Sequence, residues 1–102
     1  MGSGFVAILT VELHFPEAGS LKAKRHHLRS ARDQLRSRFG AAVAEVDHHD
    51  LWQRTTLTVA CVARDAAAAG ELADGAERWL ASGDWVLARA ETFLVSPDDE
   101  PD

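Results

Sequence analysis

The spacing of apolar residues in this chain switches back and forth between two periods, and the order of those switches restricts the fold more than any single motif does. Along FVAILTVELHF, residues 5–15, Ala7, Leu9, Val11 and Leu13 fall on one side and Thr10, Glu12 and His14 on the other, the two-residue period of a strand with one covered face. From Leu21 the period becomes helical. Leu21, Leu28, Ala31, Leu35 and Phe39 share a face, Ser20 stands at the N-cap position and Gly40 is a natural stop. Two β-branched stretches, 42–49 and 55–63, then flank the polar DLWQ as a long antiparallel hairpin. Asp65 is placed to cap a second helix over AAAAGELADGAERWLAS, residues 66–82. Gly70 and Gly75 each cost that helix about 1 kcal/mol relative to alanine, so docking of its Leu72 and Trp79 face must supply the stability. A last strand, WVLARAETFLV, occupies 85–95.

The order β-α-β-β-α-β predicts an α+β, ferredoxin-like sandwich: a four-stranded antiparallel sheet with two helices on one face. With 102 residues there is room for one core. The domain is expected over 5–95, followed by an acidic tail at 96–102 (SPDDEPD), expected to be disordered. Apolar runs fall far short of the roughly 20 residues a membrane helix needs, so no membrane role is expected. A single cysteine, Cys61, excludes an internal disulfide within one chain. The expected location is the cytoplasm, a reducing compartment.

Charge is distributed unevenly. The net charge is -5, yet LKAKRHHLRSARDQLRSRF, residues 21–39, carries Lys22, Lys24, Arg25, Arg29, Arg32, Arg36 and Arg38 against the single acid Asp33. At about 100° per residue, Lys22, Arg25, Arg29, Arg32 and Arg36 form one stripe whose centre lies roughly 90° from that of the apolar stripe. Docking the apolar side therefore leaves these five cations displayed along the helix's shoulder, where a phosphate backbone can lie. A helix face built for internal pairing interleaves both signs at i and i+4, and here only Asp33 does so. These five residues are the expected RNA contacts.

A sheet-type RNA binder needs exposed aromatics on its central strands. The open face is expected to show Ile8, Thr10 and Glu12 beside Thr56, Thr58 and Ala60, none of them aromatic, with Glu45 and Glu91 adding negative charge if they share it. Trp52, at or beside a chain reversal that normally takes small polar residues, is a candidate partner contact with Gln53 and Arg54.

Signals for chemistry are weak. DHHD at 47–50 together with His14 suggests a metal set, but His48 and His49 as strand neighbours point to opposite faces. Cys61 has no flanking base and sits in an apolar strand. The chain has neither a phosphate-cradling glycine loop nor a Gly-x-Ser-x-Gly turn. A non-enzyme without metal or cofactor is the expectation.

The stretches LTVELHFPEAGSLKAKRHHLRS and AVAEVDHHDLWQRTTLTVACV resemble the YlxP-like family of bacterial proteins, with Ser20-Leu21-Lys22, Lys24-Arg25 and Asp50-Leu51-Trp52-Gln53-Arg54 the most recognisable parts. The likeness runs over roughly residues 5–95. It implies a ferredoxin-like fold and a family without assigned biochemistry, whose genes commonly sit near those for translation initiation and ribosome maturation. No catalytic residue comes with it. The expected function is a small binding protein that contacts RNA or a ribosomal subunit through helix one. The competing expectation is a homodimeric protein-interaction module using the open sheet face and the Trp52 hairpin.

Overall fold

The computed structural model describes residues 2–98, in the order β1 (Phe5–His14), α1 (Leu21–Phe39), β2 (Ala42–Asp47), β3 (Arg54–Ala63), α2 (Ala66–Ala81) and β4 (Val86–Val95). The four strands form one sheet in the order β2-β3-β1-β4, with every neighbouring pair antiparallel. Both helices cover one face, as the alternating strands require. Ala7, Leu9, Val11 and Leu13 of β1 and Leu57, Val59 and Cys61 of β3 point beneath them and are buried. This is the ferredoxin-like arrangement read from the sequence. No described helix is long and apolar enough to cross a membrane.

Local chemistry sets the helix ends. Ser20 Oγ accepts the Ala23 N–H at 3.1 Å, and Asp65 Oδ1 accepts that of Ala68 at 2.7 Å. Gly40 adopts φ 61°, a left-handed conformation that only glycine takes without steric cost, and its N–H returns to the Arg36 carbonyl at 3.0 Å.

The second helix docks through the face that holds Leu72 and Trp79. Ala69, Ala73, Ala76 and Leu80 are its buried residues, whereas Leu72 and Trp79 lie at the margin of the core. Small side chains let α2 sit close to the sheet. Gly75 serves a related purpose, since a Cβ there would lie 3.0 Å from the Phe39 ring of α1. The last strand begins at Val86 because Trp85 belongs to the turn, where its indole N–H donates to the Leu80 carbonyl at 2.6 Å and its ring meets those of Phe15 and Trp79 edge-on. A bulge between Glu12 and Leu13 of β1 leaves Ala88 of β4 as an extra residue. The alternation of faces along β4 therefore breaks at that point.

Beyond β4, the Ser96 hydroxyl donates to the Gly4 carbonyl at 2.9 Å, and Asp98 accepts from the backbone and hydroxyl of Ser3 at 2.8 and 2.9 Å. Of the tail expected to be disordered, residues 99–102 lie outside the described residues.

Glycine substitutions test this packing. A Cβ at Gly70 meets nothing within 4 Å, so Gly70→Ala should raise stability by about 1 kcal/mol, roughly 4 °C or more in Tm. At Gly83 the same atom would lie 2.5 Å from the Trp85 ring, so Gly83→Ala should lower Tm. Thermal unfolding of the two variants beside the parent checks both signs.

Candidate functional site

Helix α1 carries seven basic side chains, and the structure divides them into two groups. Lys24 and Arg38 have partners within the chain, the first buried and the second at the surface. Arg38 donates to Gln34 Oε1 at 2.9 Å and its guanidinium lies 6.0 Å from the centroid of the Trp79 ring. The other five, Lys22, Arg25, Arg29, Arg32 and Arg36, are exposed, and among the described residues no carboxylate lies within ion-pair distance of any of them. They are the stripe read from the sequence. Four of them, Arg25, Arg29, Arg32 and Arg36, line one shallow groove of about 220 Å³ between α1 and β2, with Leu28, Asp33 and Glu45 completing its wall. A space below the roughly 300 Å³ of a small-molecule pocket suits a protruding ribbon of charge better than an enclosed ligand.

Lys24 was not among the expected site residues. Only 1% of it is exposed, because it occupies the apolar stripe between Leu21 and Leu28. Its ammonium donates to the His48 carbonyl at 2.7 Å and the Leu51 carbonyl at 2.6 Å, and Glu45 Oε2 lies 3.0 Å away. Glu45 also accepts from the buried Thr55 hydroxyl. Every donor position of the ammonium is thus used. Of the two acids that could have shared the open face, Glu45 does not join it: it pairs with Leu57 across β2 and β3 and turns toward the helices. Desolvation alone would raise the Glu45 pKa, but the hydrogen bonds from Thr55 and Lys24 and the charge of Lys24 together hold it below the ordinary 4.5.

The held carbonyls belong to the β2–β3 tip, a tight reversal in which His48 takes φ 60° and its N–H bonds to Asp47 Oδ1 at 2.8 Å. Of the three residues expected to meet a partner there, two are committed elsewhere. Gln53 donates to the Pro16 and Ala18 carbonyls at 3.5 and 3.4 Å, and Arg54 pairs with Glu12, its Nε 2.9 Å from the carboxylate. The hydrogen bond from Arg54 holds Glu12 below its ordinary range. Trp52 remains 53% exposed, on the rim of an open hollow of about 600 Å³ shared with His14, Pro16, Leu51, Gln53 and Arg54.

The open sheet face carries Ile8, Thr10 and Glu12 beside Ala60, Thr58 and Thr56, as expected, and among the described residues the only ring on its central strands is the His14 imidazole at the end of β1, 3.7 Å from Glu12. Phe93, opposite Ile8, puts one aromatic on this face at the β4 edge. Phe93 is 60% exposed there. Among the described residues no group of three His, Cys, Asp or Glu side chains is placed to hold a metal ion, and burial pushes the Cys61 thiol above its ordinary range.

Lys24→Met should cost about 3 kcal/mol, because it leaves a largely buried carboxylate and two carbonyls without their cation. A depressed Glu45 pKa contributes stability that is complete above 4.5 and lost as pH falls through the folded-state value. Urea unfolding from pH 7 to 3 should therefore show a steeper acid loss in the parent than in a Glu45→Gln variant.

A family model described as "Protein of unknown function (DUF503)" matches residues 6–91. Over 46 residues the chain is 37% identical to "Uncharacterized protein YlxP" of Bacillus subtilis (strain 168), a stretch covering 45% of this chain and 50% of that protein. The match spans about half the length of that curated relative.

Proposed function

The chain belongs to the DUF503 family, and on that footing we propose that it is a non-catalytic RNA-contacting protein whose binding surface is the arginine groove between α1 and β2. The observation that carries this reading is the division among the bases of α1. Lys24 and Arg38 have partners within the chain, while the five side chains of the stripe are exposed with no described carboxylate within ion-pair distance, although Asp33 and Glu45 share their groove. Exposed ion pairs are easily formed by long side chains, so a row of unpaired cations beside a β-strand favours an external anion.

RNA is favoured over a small anion because the arginines succeed one another over three turns of helix, a spacing that follows a backbone of repeated phosphates. Bidentate guanidinium contacts suit phosphate oxygens. The lack of Phe, Tyr or Trp on the open face of the central strands argues against base stacking on the sheet, so the phosphate backbone rather than base sequence is what this surface reads. Ribosomal RNA, during subunit maturation or translation, is the RNA implied by the family resemblance.

Replacing Arg25, Arg29 and Arg32 together by Gln should abolish co-sedimentation with ribosomal subunits while leaving Tm close to that of the parent, since all three side chains are exposed. Against a single-stranded RNA, the log-log salt slope should shrink by about 2, at roughly 0.7 for each phosphate that is no longer neutralised. Trp52→Ala should leave the affinity intact, because its hollow opens beside His14 and Arg54 rather than over the groove. Binding insensitive to salt, or abolished with Trp52 and retained by the triple variant, overturns the reading.

A further inference from the structure

β4 lies at one outer edge of the sheet, so the backbone groups along its far side have no strand partner among the described residues. Edges left in this state are usually short, kinked or protected by proline and charge. The opposite edge follows that rule: β2 has six residues, a register break before Asp47, and acidic Glu45 and Asp47. β4 does not. It runs for ten residues without proline and carries four of the nine exposed large hydrophobic side chains among the described residues, Val86, Phe93, Leu94 and Val95, all between 42% and 60% exposed.

The charged residues of β4 point to what covers it. Arg89 and Glu91, on either side of Ala90 in sequence, share the open face, where Arg89 Nη2 lies 2.9 Å from Glu91 Oε1. If a second copy of the strand runs antiparallel about a twofold axis through Ala90, Arg89 stands opposite the copy's Glu91, and Glu91 opposite the copy's Arg89. Keeping the helices of both copies on one side allows only shifts that preserve the alternation of faces. The nearest such shifts set Arg89 against Arg89 or Glu91 against Glu91, and like charges directly opposite are repelled. One register is therefore selected from both directions.

We propose that the chain forms a homodimer by edge-to-edge pairing of β4, joining two four-stranded sheets into one of eight strands. The partner is a second copy because the sequence about Ala90 is complementary in charge to its own reverse. Such a contact is isologous and closes on itself, so it ends at two chains and does not propagate into a filament.

Sedimentation velocity over a concentration series tests this with four proteins. The parent should sediment with twice its 11.1 kDa mass at micromolar concentration. Arg89→Glu and Glu91→Arg, each alone, should raise the dimer Kd at least about tenfold, because each places two like-charge pairs across the axis. An equimolar mixture of these two variants should regain parental affinity as a heterodimer, an outcome that repair of the pair within one chain does not give. Val62→Lys, on the open face of β3 and away from β4, should leave the dimer unchanged. A parent that stays monomeric at 100 micromolar (about 1 mg/ml), a mixture that fails to complement, or a dimer broken by Val62→Lys overturns the proposal, the last because it puts the contact on the open face.

Discussion

A single ammonium group organises the end of this molecule that carries its positive surface. Lys24 sits on the buried side of α1, where a charged residue is tolerated only if its hydrogen bonds are met, and it meets them with two carbonyls of the β2–β3 tip and one carboxylate of β2. The helix and the edge hairpin are thereby tied at a fixed height. The row from Arg25 to Arg36 then lies alongside β2 instead of over open solvent, and the groove between them follows from that alignment. Thr55 completes the arrangement by holding the carboxylate that faces the lysine.

Position within the helix makes this tie more telling. Lys22, Lys24 and Arg25 occupy the first turns of α1, and no acid accompanies them there. The N-terminal end of a helix carries partial positive charge, so bases at these places work against the helix dipole. For Lys24 the hairpin carbonyls supply the compensation. Lys22 and Arg25 have no equivalent among the described residues, a pattern expected where a surface is shaped for something other than stability.

The fold was legible because its signals are local. Alternation in β1, the capping side chains of Ser20 and Asp65 and the stop at Gly40 each act within a few residues, and each stands where the sequence placed it. The helix stripe was legible for the same reason, since its geometry depends only on residues per turn. Lys24 was not, because its burial is decided by partners 21 to 27 positions along the chain. A signal existed: Leu21, Lys24, Leu28, Ala31 and Leu35 recur at three and four, so a lysine interrupts the apolar row at its own spacing. The face of Glu45 was hidden likewise, since it depends on register opposite Leu57, which no local pattern reveals. In β4 the extra residue at Ala88 shifts the alternation partway along, and that comes from pairing with β1 rather than from the strand itself.

Five like charges gathered along one helix also bear on the protein when nothing is bound to it. Neighbouring guanidinium groups on successive turns repel one another, and folding must overcome that tension each time the helix forms. Small ions relax it by screening, over a length of about 8 Å at physiological strength. Added salt thus shields α1 from its own crowding while it also loosens any polyanion resting in the groove, so the two processes respond to one variable with opposite sign.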